Sequence, residues 1–354
     1  MEYKILDSKI YDLLHKGCVI PAHPLALDAS RQLDESRQRL LTKYYLAAGA
    51  GGVAVGVHTT QFEIRRPEYN LFEPVLRMAS EEVNKTQFAD NIIKVAGITG
   101  ATANAVEEAE TAAHYGYHLG LISMGGLSSL TEDELIKRTK EVAAKIPLFG
   151  FYLQPAAGGR LLSYEFWKQF VEIPNVYAIK IAAFNRYQTI DVVRAVCNSP
   201  RRDEIALYTG NDDNIIGDLL TPYQFNVQGK KVEKRFTGGL LGHWAVWTSK
   251  AVELLALVKG GVNDFETLLT KNIGVTDMNA VIFDAKNSFH GCIPGIHEVL
   301  RRQGLLEGTW CLNPDEKMSP GQSEEIDRLY NDYPEMTDDD FVKRFLEKEL
   351  KHQH

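Results

Sequence analysis

Eight times in the first two-thirds of the chain, a short apolar run is followed by a segment whose apolar residues recur at helical spacing. The runs are 18–22, 52–57, 92–98, 119–123, 148–152, 176–179, 206–209 and 236–241. Each is too short for a buried helix and too uniformly apolar for a strand with one wet face. Helical segments are expected over 33–48, 72–85, 103–115, 131–145, 163–171, 188–197 and 244–258, with a further one starting at Asp213 after the seventh run, and a short amphipathic helix within 1–16 precedes them all. Thr131 followed by Glu134 reads as a capping box. Buried strands joined by helices are parallel strands with right-handed crossovers, and eight such units predict an α/β chain folded as a (β/α)8 TIM barrel. An open doubly wound sheet is the alternative. The absence of a Gly-x-Gly-x-x-Gly after the first run counts against a dinucleotide site of that kind.

Gln228-Gly229-Lys230 reads as a hairpin turn between the seventh and eighth runs, and Gly260-Gly261 as a linker. Residues 1–259 are therefore expected to form the barrel and 260–354 a C-terminal helical region. Helices are expected there over 265–271, 278–289, 296–303, 323–330 and 338–351, punctuated by Pro294, Pro314 and Pro320.

Composition narrows the function classes. The chain has 354 residues, 44% of them hydrophobic, and a net charge of −8. That acidic balance argues against a nucleic-acid partner, and no apolar run approaches the roughly 20 residues that span a bilayer. The four cysteines, Cys18, Cys197, Cys292 and Cys311, form no Cys-x-x-Cys pair. Neither a structural zinc nor a disulfide framework is indicated, and a reducing, cytoplasmic location is expected.

Chemistry concentrates between residues 148 and 185. Leu148-Phe149-Gly150-Phe151-Tyr152 is followed by Pro155 and Gly158-Gly159, then a helical segment, the Pro174-Asn175 turn, and Val176-Tyr177-Ala178-Ile179 ending on Lys180. An amine held in apolar surroundings is costly to charge, so its pKa falls, and a neutral amine can attack a carbonyl carbon to form a Schiff base. The alternative is that Lys180 extends to solvent from a strand end while Tyr152 fills core. In a parallel sheet both would lie toward the carboxyl ends of their strands, where such barrels place their sites.

Tyr152-Leu153-Gln154-Pro155, the Gly-rich turn, the helix and the strand ending Ile179-Lys180 resemble the dihydrodipicolinate synthase / N-acetylneuraminate lyase family. Further likeness lies in 17–24, 47–56, 95–100, 208–212 and 304–308. The resemblance implies the barrel fold and class I (Schiff-base) chemistry, with no metal or organic cofactor. Lys180 would condense with a small carbonyl substrate, and Tyr152 would shuttle a proton. His58, Thr59, Thr60, Thr99, Arg160 and Asn211 would orient substrate oxygens. It also implies a homo-oligomer, a dimer or tetramer, and a sugar-derived 2-oxo acid as substrate.

The departures are specific. The family carries Gly-[Ser/Thr]-Thr-Gly-Glu after its second strand to hold the substrate carboxylate; here Gly56 precedes Val57-His58 and the threonines are displaced. Gly125-Gly126-Leu127 supplies no proton-relay tyrosine after the fourth strand. The synthase arginine falls on Ala157, with Arg160 nearby. These differences point to an aldolase or dehydratase other than a true dihydrodipicolinate synthase. Two rivals remain. One is a metal-dependent hydrolase using His23, His58 and His243; the other is a non-catalytic ligand-binding barrel. Asp213 is expected to cap the helix after the seventh strand.

Overall fold

The structure, a computed structural model, describes residues 3–261 and 264–351. Its strands are β1 Val19–Pro21, β2 Gly52–Val55, β3 Ile93–Ile98, β4 Leu119–Ile122, β5 Leu148–Leu153, β6 Val176–Ala182, β7 Ala206–Thr209, β8 Tyr223–Val227, β9 Lys230–Lys234 and β10 Phe236–Leu241. Helices in the first part are α1 Ser8–Lys16, α2 Glu35–Ala47, α3 Phe72–Asn84, α4 Thr102–His114, α5 Glu132–Ala143, α6 Tyr164–Phe170, α7 Arg186–Asn198, α8 Ile215–Leu220 and α9 Thr248–Lys259. The C-terminal region adds α10 Phe265–Ile282, α11 Cys292–Arg302, α12 Gln322–Asp332 and α13 Asp339–Lys351. Every expected strand is present within three residues, and the expected turn at Gln228-Gly229 joins β8 to β9 as an antiparallel hairpin. None of the described helices is long and apolar enough to cross a membrane.

The chain groups into two compact units, Met1–Cys18 with Ile93–Leu240 and Val19–Ile92 with Leu241–His354. In the first, six parallel strands lie in the order β10-β7-β6-β5-β4-β3. Residues in register on neighbouring parallel strands share a face, and successive residues alternate faces. One face therefore carries Phe149 and Phe151 of β5, Ala178, Lys180 and Ala182 of β6, and Tyr208 of β7. The opposite face carries Gly150 and Tyr152, and α6 packs there. A Cβ on Gly150 would lie 2.6 Å from the Phe170 ring, so glycine sets how closely α6 approaches β5.

Several helix starts follow from sequence. Thr131 and Glu134 form the expected capping box on α5. Ser163 accepts from the Phe166 amide at the start of α6. The cap expected of Asp213 is not found: Asn214 occupies the N-cap of α8, with no side-chain cap bond.

In the second unit, β1 and β2 run parallel, extended by an Ala22–Ala54 bridge and the His23 amide bond to the Ala54 carbonyl. Helix α10 runs unbroken where two helices were expected. Gly274, which suggests a break, sits against Met336 and Tyr333, at 3.0 and 3.1 Å from the position of an added Cβ. Tertiary packing thus overrides its weak helix propensity.

The turn that launches β6 is held by one side chain. Arg201 donates to the carbonyls of Val171, Ile173, Pro174 and Val176, the last at 2.9 Å. Arg201→Met would leave these carbonyls short of donors and is expected to cost roughly 2–4 kcal/mol. Urea denaturation checks this; an unchanged midpoint would show that the guanidinium does not anchor β6.

Candidate active site

Lys180 lies on β6 between Ile179 and Ile181, both fully buried, and is itself 7% exposed. Its ammonium nitrogen is 4.6 Å from the centroid of the Phe151 ring, its in-register neighbour on β5. Burial lowers the amine from its ordinary value near 10.5 to about 8, and the nearby Asp212 carboxylate opposes that fall. Asp212 is also buried, at 4% exposure. Gly210 makes room for the lysine: a Cβ there would stand 2.5 Å from Lys180 Cε and 2.9 Å from Ala182 Cβ. The site thus offers a dry primary amine within reach of the physiological pH range, walled by Phe151, Ala182 and Gly210.

Tyr152 is not brought to this amine. It pairs in register with Ile181 and so occupies the face opposite Lys180. Its ring lies 5.4 Å from Trp167 of α6, and its hydroxyl is 3.5 Å from the Leu162 carbonyl oxygen and 3.4 Å from the Leu162 amide. Desolvation raises its pKa above the ordinary value. The Tyr-x-x-Pro spacing identified the strand end but not the face; strand register decides the face.

Most of the other anticipated substrate-orienting groups are engaged with the protein. Asn211 donates to Asp218 Oδ2 at 2.8 Å and to Thr189 Oγ1 at 3.2 Å, and accepts from the Phe184 amide at 3.0 Å. Arg160 donates to the carbonyls of Leu127 and Leu130 at 2.8 and 3.0 Å, tying the loop after β5 to the loop after β4. Thr99 donates to Glu108 through both its amide and its hydroxyl.

In the second unit, Thr59 donates to the Ala22 carbonyl at 2.8 Å and Thr60 to the His23 carbonyl at 2.6 Å. Thr60 Oγ1 also accepts from the Gly56 and Val57 amides. These hydroxyls fasten the loop after β2 to the end of β1. His58 is half-buried, with its ring 5.9 Å from that of Phe62.

The histidine constellation does not assemble as a metal centre. His23 places Nδ1 2.8 Å from the Pro24 carbonyl oxygen and Nε2 2.9 Å from Thr42 Oγ1, and burial lowers its pKa to about 4. His243 is likewise lowered to about 4 by burial and lies 3.5 Å from Asn279 Nδ2. Among the described residues, no three His, Cys, Asp or Glu side chains converge as a metal site requires. The sequence showed where these histidines stand along the chain, but their ring partners come from helices far away in it.

What sequence reasoning missed is a hub on Asp218 of α8, which is fully buried. It accepts from Thr209 at 2.7 Å, Asn211 at 2.8 Å, Tyr223 at 3.0 Å and the Arg186 guanidinium. The hub locks the end of β7, and with it Gly210 and Asp212, relative to Lys180. An aspartate three residues into a six-residue helix carries no sequence signal of this role.

Comparison with known proteins gives a consistent result. The profile of the dihydrodipicolinate synthetase family matches residues 16–221. The 4-hydroxy-tetrahydrodipicolinate synthase of Bifidobacterium longum (strain DJO10A) is 26% identical over 212 residues, covering 58% of this chain and 64% of that relative. Among solved structures, the dihydrodipicolinate synthase of Oceanobacillus iheyensis superposes with a TM-score of 0.73 at 18% identity, covering 93% of this chain and 99% of the other. The N-acetylneuraminate lyase of Fusobacterium nucleatum gives 0.70 at 16% identity, covering 90% and 99%. The chloride-inhibited dihydrodipicolinate synthase of Acinetobacter baumannii, complexed with pyruvate, gives 0.71 at 19%, covering 89% and 98%. This likeness shows the fold, a (β/α)8 barrel with a C-terminal helical region.

The close approach at Gly210 generates a direct test. Gly210→Ala is expected to push the Lys180 side chain aside and to slow covalent capture of a carbonyl probe by about 10²-fold, a loss of the size that misplacing a reacting group by an ångström produces. Stopped-time borohydride trapping measures it; an unaltered trapping rate would mean that residue 210 does not set the position of the amine.

Proposed function

The chain belongs to the dihydrodipicolinate synthetase family, and from that premise we propose that it is a Schiff-base-forming lyase or hydro-lyase with Lys180 as nucleophile. The observation that carries this reading is the burial of Lys180 against Phe151 with its pKa lowered to about 8. Near neutrality an appreciable fraction of such an amine is neutral, whereas a solvated lysine is almost wholly charged. The neutral nitrogen attacks the substrate carbonyl carbon, the C–N bond forms, and loss of water yields the imine. The protonated imine then accepts the electron pair released when a carbon–carbon or carbon–oxygen bond breaks at the neighbouring position.

The substrate is a small carbonyl compound, and a sugar-derived 2-oxo acid is the first class to test. In support, the Acinetobacter baumannii synthase is complexed with pyruvate and the Fusobacterium nucleatum protein is an N-acetylneuraminate lyase. The differences at 56–60, 125–127 and 157 favour a reaction other than that of a true dihydrodipicolinate synthase. No organic cofactor enters this chemistry. A cytoplasmic homo-oligomer is the expected setting.

Thr59, Thr60, Arg160 and Asn211 are proposed to shape the rim rather than to bind the carboxylate, because their donors are engaged with carbonyls and side chains of the protein. The same reading leaves Tyr152 as a residue that steadies the loop after β5.

Borohydride reduction in the presence of a panel of 2-oxo acids, followed by intact mass and peptide mapping, tests the proposal. A ligand-sized adduct on the Lys180 peptide is expected, and none in Lys180→Ala. The trapping rate should rise with pH and level off above about 8, because the amine is lowered to that value and is neutral above it. An adduct that persists in Lys180→Ala, or a rate still climbing steeply beyond pH 9.5, would contradict the assignment.

A further inference from the structure

Imine formation needs a partner that moves protons. The nitrogen must lose a proton after it attacks, and the carbinolamine oxygen must gain one before it leaves as water. In the resemblance on which the sequence reading rests, a tyrosine does this. Here Tyr152 is on the opposite face of β5, against Trp167 and the backbone of Leu162. A second phenol, that of Tyr208, is in register with Lys180 but donates to the Leu14 carbonyl at 3.0 Å and lies 3.7 Å from Cys18 Sγ. Both phenols are thus occupied elsewhere.

The end of β7 offers a different group. The Gly210 amide donates to the Ile181 carbonyl at 2.7 Å, which holds the chain beside β6 one residue past Lys180. The bare Cα of Gly210 lets the lysine side chain run against it, with only 2.5 Å between Lys180 Cε and the place a Cβ would occupy. The Asp212 amide then donates back to the Gly210 carbonyl at 3.1 Å. This tight turn ties Asp212 to Gly210, the residue the lysine side chain runs against, and the Asp212 carboxylate acts electrostatically on the amine. Asn211, between them, is held by Asp218, Thr189 and Phe184, so the turn has little freedom to swing away. Asp212 is buried, as is Lys180, and two buried opposite charges in one place stabilise each other where either alone would be costly.

We propose that Asp212, rather than Tyr152, is the proton-exchange partner of Lys180 during imine formation and hydrolysis. The inference rests on the Schiff-base reading above. Asp212 takes the proton that the attacking nitrogen releases. It returns that proton to the alkoxide oxygen, giving the carbinolamine; a second proton, drawn from solvent through the same carboxylate, converts the hydroxyl to water, which departs with the electron pair of the C–O bond while the nitrogen lone pair closes the C=N bond of the protonated imine. No oxidant, reductant or further reactant is required.

The charged side chain that acts on Lys180 is Asp212 itself, and its carboxylate favours the charged amine. Removing that charge should therefore move the lysine's titration to lower pH while removing the proton carrier. A merely structural role would not produce this pair of effects.

The experiment is cyanoborohydride trapping of the full chain with a panel of 2-oxo acids, pyruvate included, followed across pH for the unsubstituted protein, Asp212→Asn, Asp212→Glu and Tyr152→Phe. Thermal unfolding is recorded for each. Asp212→Asn is expected to lower the plateau rate at least about 10²-fold and to shift the midpoint to lower pH. Asp212→Glu should recover part of the rate, and Tyr152→Phe should stay within about threefold of the parent, as expected for a group that is not in the reaction path. A full-rate Asp212→Asn, or a Tyr152→Phe slowed as much as Asp212→Asn was expected to be, overturns the proposal but leaves Lys180 as nucleophile. No Lys180 adduct in the unsubstituted chain overturns the Schiff-base reading, and this proposal with it.

Discussion

The structure turns on the cost of charging one amine. Removing the Lys180 ammonium from water penalises its charged form, and a fall from 10.5 to about 8 corresponds to roughly 3 kcal/mol of net preference for the neutral amine relative to water. The Phe151 ring and the Asp212 carboxylate both favour the charge, so desolvation has to exceed them. Without Asp212 the pKa would fall further; without burial it would return toward the ordinary lysine value. The balance leaves an amine that gains and loses its proton near pH 8, as the proposed nucleophile would need to. Such tuning of an amine by competing terms is how one side chain serves both halves of a covalent cycle.

Much of the surrounding framework can be understood as holding that amine in place. Arg201 gathers the carbonyls at the foot of β6. Asp218 gathers Thr209, Asn211, Tyr223 and Arg186 at the end of β7. Gly210, lacking a Cβ, leaves the room that the lysine side chain occupies. Arg160 bridges the loops after β4 and β5 through carbonyls. At Arg201, Asp218 and Arg160 a charged side chain is matched by several hydrogen-bond partners, and rigidity at the strand ends is the result. A site on strand ends braced in this way keeps its reacting atoms in a narrow range of positions, which is what efficient covalent catalysis needs.

The order of elements was legible because buried parallel strands leave short apolar runs, and connecting helices leave stripes at a different spacing. The eighth strand was found despite Gly238 and Gly239, since Phe236, Leu240 and Leu241 bracket them. Lys180 stood out as a lysine closing an apolar run within the stretch that carries the family resemblance. Three features were not legible, for physical reasons. The face taken by Tyr152 depends on strand register, and a shift of one residue reverses it. The engagement of Thr59, Thr60, Arg160 and Asn211 depends on partners that tertiary structure supplies. The continuity of α10 through Gly274 depends on Met336 and Tyr333, which approach it from some sixty residues away. The family resemblance predicted the fold; the register of β5 places Tyr152 on the face opposite Lys180.

The most direct measurement is the pKa of Lys180 in the protein without substrate. Competitive acetylation with trace acetic anhydride across pH, quantified on the peptide that contains Lys180, reports the neutral fraction of that one amine. A midpoint near 8 is the result expected from burial opposed by Asp212. A midpoint at the ordinary lysine value near 10.5 would mean the amine is solvated, and the nucleophile assigned here would be the wrong residue.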